Sequence, residues 1–259
     1  MKRHFGLAEK LRSAGHAPVN EADHSHEPAA VRRRLATPQH GSNTGDWIYG
    51  GFDGTVTTFA VVAGVAGAAL SHEITLILGA ANLIADGFSM AMGAYLSRQA
   101  DSERYETLRQ VEQSHVDRFP EGERIEVREI LRRSGVPDHV LDTAADAITA
   151  DERRWIDFMM AGEYGLTGSG RPPWVAGAST FAAFIVFGMI PLLPFVLGLP
   201  FAFATASGLT AVAFMMIGAM KARYTSRAML PAILESLFVG GAAAALAYGA
   251  GHALAALAG

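Results

Sequence analysis

A single carboxylate lies inside a long apolar stretch near the start of the chain. Asp53 is about a third of the way along residues 47–70, whose other members are almost all apolar or small. That stretch is long enough to cross a bilayer, because a spanning helix needs roughly 20 mostly apolar residues. A charged side chain near the bilayer centre costs about 2.5–3.5 kcal/mol, so a chain that keeps one usually uses it for an ion, a proton or a substrate. Asp53 therefore indicates transport.

A second set of side chains suited to chemistry lies in the polar middle of the chain. Glu112 and His115 are three residues apart, as are Glu123 and Glu126, and side chains at that spacing share one helix face. Two methionines of a later predicted helix, Met159 and Met160, add thioether groups. Carboxylate, imidazole and thioether together favour a first-row transition metal over Mg²⁺ or Ca²⁺. The alternative is a set of solvated acidic faces with weak ion pairs, with the methionines in a hydrophobic core. The predicted helix nearest the next apolar segment adds Met159, Met160 and Glu163.

The apolar residues of the chain are gathered into long runs. Half of the 259 residues are apolar, and this clustering indicates a membrane protein rather than a soluble globule. The chain has no cysteine, which excludes disulfides, thiolate metal sites and cysteine nucleophiles. Its net charge of -4 gives no indication of a nucleic-acid partner. The predicted membrane segments are about 47–70, 74–96, 174–197, 201–220 and 231–257.

These features predict an all-α membrane protein with five transmembrane helices and a cytoplasmic helical metal-binding domain inserted between helices two and three. The N-terminal region contains five of the nine histidines. These histidines either capture metal weakly or belong to a polar disordered tail. The predicted divisions are a disordered tail at 1–45, transmembrane helices one and two at 46–97, the inserted domain at 98–173, and helices three to five at 174–259.

The distribution of Arg and Lys predicts the orientation in the membrane. Basic residues lie in the tail before segment one, at both ends of the inserted domain and in the loop between segments four and five, whereas the two short joints and the C-terminus carry none. Since cytoplasmic loops carry the excess of Lys and Arg, the N-terminus and the inserted domain should be cytoplasmic and the C-terminus outside. No signal peptide is recognisable. The Arg- and Ala-rich composition suggests a bacterial protein, and hence the inner membrane.

Three stretches resemble the vacuolar iron transporter family, a group of ferrous and manganese transporters. The first is DWIYGGFDGTVTTFA at 46–60, the second is ADGFSMAMGAYLS at 85–97, and the third is WIDFMMAGEYGL at 155–166. They occur in the family's order, and the resemblance covers about 46–257.

The resemblance implies a homodimer of five-helix subunits that exports Fe²⁺, or Mn²⁺, from the cytosol in exchange for protons. It implies a transporter rather than an enzyme, with no permanently bound cofactor. By position, Asp53 and Met90 match the family's pathway residues. Asp86, one turn before Met90, and Glu235, at the start of the last segment, are further pathway candidates. The residues that match the family's cytoplasmic metal site are Glu112, Glu123, Glu126, Met159, Met160 and Glu163.

Two positions depart from the family pattern. Ala94, in Gly93-Ala94-Tyr95, stands where many relatives have an acidic residue. His115 stands where the family often has Glu. The change keeps a metal-ligating side chain but removes a negative charge, so it could weaken the site, shift its pH response or change its metal preference.

Two other functions compete with transport. A membrane-anchored ferritin-like iron oxidase or metal sensor would use paired Glu motifs on helices, but Glu112-x-x-His115 occurs without a second copy. An intramembrane serine protease would need a Ser–His dyad, for which Ser207 and His252 are the candidates. The first glycine of a Gly-x-Ser-Gly pattern is missing before Ser207, which argues against the protease.

Overall fold

A computed structural model of the chain describes residues 27–36, 42–168 and 170–258. Throughout these ranges the chain is helical and contains no strand, as predicted. The histidines of the predicted tail (His4, His16, His24, His26 and His40) lie outside the described residues. The helices in chain order are α1 (Pro28–Ala36), α2 (Thr44–Gly67), α3 (His72–Arg118), α4 (Pro120–Arg133), α5 (Asp138–Thr149), α6 (Glu152–Gly162), α7 (Pro173–Gly188), α8 (Leu193–Val196), α9 (Ala202–Tyr224) and α10 (Met229–Ala258). Helix α1, inside the predicted tail, was not expected from the sequence.

Five helical segments among the described residues are long and apolar enough to cross a membrane. They correspond to the five predicted segments. Helix α3 has 47 residues, which at 1.5 Å per residue is about 70 Å, more than twice the hydrocarbon thickness of a bilayer. A single crossing therefore accommodates only part of α3, and the apolar first part, which ends near Tyr95, is the membrane span.

The third predicted segment is interrupted rather than continuous. Helix α7 ends at Gly188, a short 3-10 turn follows at Ile190–Leu192, and α8 completes the crossing. Pro191 and Pro194 are the reason, because a proline inside a helix removes a backbone donor and clashes with the preceding turn. Residues 173–196 still form one candidate span.

The chain divides into two compact units. The membrane unit contains α2, α3 as far as Tyr95, and α7–α10, while Leu96–Pro172 forms the second unit. In the membrane unit, α2 is held close to its neighbours by small residues. A Cβ added at Gly54 would lie 2.5 Å from the carbonyl oxygen of Phe184, and one at Gly251 would overlap that of Gly64. Glycine at such positions lets membrane helices approach backbone to backbone.

This packing predicts a clear difference between two glycines of α10. Gly251→Ala should lower the melting temperature of the purified protein, because its methyl group meets a backbone carbonyl that cannot rotate away; overpacking typically costs about 1–3 kcal/mol. Gly249→Ala is the matched control, since nothing lies within 4 Å of a Cβ there. Thermal unfolding in detergent measures both, and equal melting temperatures would contradict the close α2–α10 contact.

The second unit is built on a hydrophobic core with charged pairs at its surface. Its ion pairs between α4 and α5 join arginines and aspartates that each recur every four residues: Arg124–Asp146, Arg128–Asp142 and Arg132–Asp138. These side chains are substantially exposed, and such pairs contribute about 0–1 kcal/mol each. The core therefore accounts for most of the stability, and its most deeply buried members are Val127, Leu141, Ala145, Ile156, Met159 and Met160.

Candidate functional site

Asp53 lies in the membrane unit beside a chain of polar groups that joins α2 to α3. The Asp53 carboxylate is half-buried, and its electrostatic neighbour is Asp86. The Asn82 amide donates a hydrogen bond to the Asp86 carboxylate, and the Thr58 hydroxyl donates to the Asn82 carbonyl oxygen at 3.3 Å. Met90 is partly buried against the core of the same unit. The structure thus brings together Asp53 and Asp86, and adds Asn82, which the sequence did not single out as a pathway residue.

Asp86 is exposed on the surface of the single chain, although it belongs to an apolar span. Ionisable residues within membrane spans almost always face other protein or a water-filled cavity rather than lipid. The Asp86 carboxylate is therefore expected to face other protein or water rather than lipid.

Glu235 is placed differently from Asp53. Its carboxylate lies 3.0 Å from the Lys221 ammonium, and both line a cavity between α2, α9 and α10. Asp53 is not part of that cavity lining. The ion pair with Lys221 gives Glu235 a structural explanation that needs no transported ion.

The predicted metal ligands of the second unit cluster around two buried carboxylates. Glu112 is fully buried and Glu123 is 4% exposed. His115 Nδ1 lies 3.3 Å from Glu123 Oε1. Glu126 and Glu163 are exposed, yet both interact electrostatically with Glu112 and Glu123. Two halves of the predicted site, one on α3 and one on α4, are thus neighbours.

One oxygen of each buried carboxylate has no hydrogen-bond partner among the described residues. These oxygens are Glu112 Oε2 and Glu123 Oε2. The other Glu112 oxygen accepts a hydrogen bond of 2.9 Å from the Tyr164 hydroxyl. A buried polar atom without a partner costs roughly 1–3 kcal/mol, and more when it is charged. The two orphaned oxygens are therefore the part of the unit most in need of a cation or a proton.

Burial and mutual repulsion change the protonation of this cluster. Burial raises the pKa of Glu112 above its usual range, and the charge of Glu163 adds to the rise. Burial, followed by the charges of Glu112 and Glu126, raises the pKa of Glu123 to about 7. Desolvation disfavours the charged form of a carboxyl group, and like charges act in the same direction. Both shifts favour the protonated forms of Glu112 and Glu123 over two unneutralised negative charges.

Tyr164 completes the cluster and was not predicted. Burial and its hydrogen bond to Glu112 raise the pKa of the Tyr164 phenol, so its hydroxyl stays protonated and acts as a donor. Among the described residues no three His, Asp or Glu side chains stand close enough together to hold a metal ion. A metal would have to draw the exposed carboxylates inward.

Met159 and Met160 lie in the hydrophobic core of the second unit and are almost completely buried. This placement agrees with the alternative given in the sequence analysis, that the two methionines belong to a hydrophobic core. Their role as metal ligands stays a prediction.

The VIT family model matches residues 44–252, which is most of the chain. The chain belongs to the VIT family. Vacuolar iron transporter 1 of Oryza sativa subsp. japonica is 30% identical over 236 residues, covering 90% of this chain and 92% of that protein. Vacuolar iron transporter 1 of Eucalyptus grandis is 31% identical over 238 residues, with 88% and 95% covered. The vacuolar iron transporter of Toxoplasma gondii is 32% identical over 219 residues, with 80% and 72% covered.

Membership of the VIT family confirms the resemblance drawn from the three sequence stretches. The matched region includes every candidate pathway and metal residue, but it does not by itself assign their roles. The three relatives named above are eukaryotic, so they lend no support to the predicted bacterial inner membrane.

The protease alternative finds no support in this VIT-family chain. The Ser207 hydroxyl donates a 2.8 Å hydrogen bond to the carbonyl oxygen of Phe203, one turn earlier in its own helix. A serine bonded to its own helix in this way is a common feature of membrane helices. His252 is exposed near the end of α10, and no hydrogen bond links it to Ser207 among those of the described residues.

Proposed function

We propose that this chain is a metal-ion transporter that exports Fe²⁺, or Mn²⁺, from the cytosol in exchange for protons. The single observation that carries the proposal is the pair of buried, unpartnered oxygens on Glu112 and Glu123. The names of the VIT-family relatives support iron as the cargo. Mn²⁺ remains an alternative cargo because oxygen and nitrogen ligands accept both ions.

The acidic cluster of the second unit would collect the metal. Glu112, Glu123, Glu126 and Glu163 supply carboxylates that raise the local cation concentration, and His115 supplies an imidazole nitrogen. Binding a divalent cation favours the ionised carboxylates, so metal entry releases protons. Compared with the Glu that the family often has at this position, His115 removes one negative charge from the cluster, and we expect this to weaken metal retention and favour onward transfer.

Asp53 and Met90 would form the intramembrane step. A carboxylate there binds either a metal ion or a proton, so alternate occupation couples the two movements. Asp86 would line the same route because it is the electrostatic neighbour of Asp53. Its exposure on a single chain supports a homodimer in which a second copy covers this face of α3.

The orientation proposed from the Arg and Lys distribution places the second unit in the cytosol and the C-terminus outside. Metal would then leave the cytosol, either across a cell membrane or into an organelle. The occurrence of eukaryotic relatives named as vacuolar favours an organelle for those proteins.

Uptake into proteoliposomes tests this function. Purified protein is reconstituted, and entry of Fe²⁺ and of Mn²⁺ is followed without oxygen and with a reductant present. Protein-dependent uptake of at least one ion is expected. Folded protein that takes up neither ion, but in a separate aerobic assay without reductant consumes O₂ faster than a protein-free control when Fe²⁺ is added, would contradict transport and favour the membrane-anchored oxidase. Binding of metal without either activity would favour the sensor.

A further inference from the structure

A cavity of about 280 Å³ lies between α2, α9 and α10 in the membrane unit. Its walls are mainly apolar. Ile48 and Phe52 contribute from α2, Ile217 from α9 and Val239 from α10. The cavity has no place in the transport scheme above, since it lacks Asp53, Asp86 and Met90.

Charged groups mark one end of the cavity. Lys221 and Glu235 belong to its lining, and their side chains are 31% and 51% exposed. Arg227 follows six residues after Lys221, is exposed, and interacts electrostatically with Glu235. The cations of Lys221 and Arg227 thus act on the one carboxylate of Glu235, which leaves this set of three side chains with a net positive charge.

We propose that the cavity binds an anionic phospholipid from the surrounding bilayer. The phosphate would lie beside Lys221 and Arg227, and part of an acyl chain would lie against Ile48, Phe52 and Val239. Basic pockets between membrane helices are suited to anionic headgroups, and each Lys or Arg near the surface contributes about 1 kcal/mol. A free phosphate ion would leave the apolar walls unused, and a lipid without net charge would leave the positive charge uncompensated. The two halves of the cavity therefore fit one amphipathic anion better than either alternative.

Native mass spectrometry of the purified full-length chain tests the proposal. The protein is titrated with phosphatidylglycerol and, separately, with phosphatidylcholine of the same acyl chains. Tighter binding of phosphatidylglycerol is expected. Lys221→Gln should weaken that binding about fivefold and leave phosphatidylcholine unchanged, while Lys221→Arg should preserve the preference. Arg98→Gln, which removes a positive charge in the second unit, is the matched control and should bind as the wild type does.

Two further variants keep the test decisive. Lys221→Gln/Glu235→Gln avoids leaving Glu235 without its partner, so it should fold even where the single variant does not. It removes the ammonium that would contact the phosphate but keeps the local net charge, so it should show a loss of preference that is smaller than that of the single variant. Val239→Trp fills the apolar part of the cavity and should weaken both lipids.

Several results would overturn the proposal. Equal binding of the two lipids by the wild type, or an unchanged preference in both Lys221→Gln variants, would remove the headgroup site. Displacement of phosphatidylglycerol by equimolar inorganic phosphate would assign the site to a free anion. Because the chain has no cysteine, Val239→Cys offers a single crosslinking position. A disulfide between two copies there would show that a second subunit covers the cavity.

Discussion

Fe²⁺ uptake by the Asp53→Asn variant is expected to fall to the level of empty liposomes. Asparagine keeps the size of the side chain but removes the charge that holds a divalent cation and the group that exchanges a proton. Loss of a supporting residue around a metal typically costs 10–100-fold in affinity or activity, and loss of a direct ligand should cost more, so a reduction of more than about a hundredfold is predicted. Initial rates of Fe²⁺ entry measure it.

Glu235→Gln is the control for Asp53→Asn. It also removes a carboxylate from the membrane unit, but one paired with Lys221 in a separate cavity. Its uptake should stay close to that of the wild type. Comparable losses in both variants would show that Glu235 also belongs to the transport pathway, and unimpaired uptake by Asp53→Asn would contradict the assignment of Asp53.

The metal-free protein is expected to lose stability as the pH rises from about 4.5 through about 7. The Glu123 carboxyl has its pKa raised from an ordinary value of 4.5 to about 7. The folded state therefore holds a proton that the unfolded state has already released over this window. Stability falls with increasing pH wherever the folded state binds more protons. The shift corresponds to roughly 3 kcal/mol at most, and Glu112, whose pKa is also raised, acts in the same direction.

Thermal unfolding between pH 4.5 and 8, with and without Mn²⁺, measures this effect. Mn²⁺ should restore stability at pH 7.5, because it neutralises the orphaned oxygens. Glu123→Gln should flatten the pH dependence and greatly weaken the response to Mn²⁺. Glu121→Gln, an exposed residue of the same helix, should leave both unchanged. A wild-type protein whose stability rises over this window would show that the buried carboxylates do not control it.

The membrane helices could be predicted closely from the sequence. The predicted segment 47–70 corresponds to Thr44–Gly67, and the predicted segment 231–257 to Met229–Ala258. Long apolar runs have few alternatives in a membrane, where every backbone group needs a partner within its own segment. The break between α3 and α4 falls at Pro120 and also has a local cause, because proline is readily accommodated at the start of a helix but not in its interior.

Other features depended on contacts that spacing does not reveal. The resemblance named Glu112 and Glu123, but the Tyr164 hydrogen bond joins residues 52 positions apart, and no local pattern indicates it. Similarly, the spacing of Met159 and Met160 suited both a ligand and a core position, and only the packing of the second unit shows that they lie in the core. The pairing of Glu235 with Lys221 was equally invisible, since both are common residues at the ends of membrane helices.

The exchange of metal for protons is the central claim and is tested most directly by following Fe²⁺ entry and lumenal pH in the same proteoliposomes. The account predicts that the lumenal pH rises in step with Fe²⁺ entry, because protons leave as metal enters, and that Asp53→Asn abolishes both signals. Fe²⁺ entry at constant lumenal pH, under conditions where an added ionophore still changes the pH signal, would contradict the exchange mechanism.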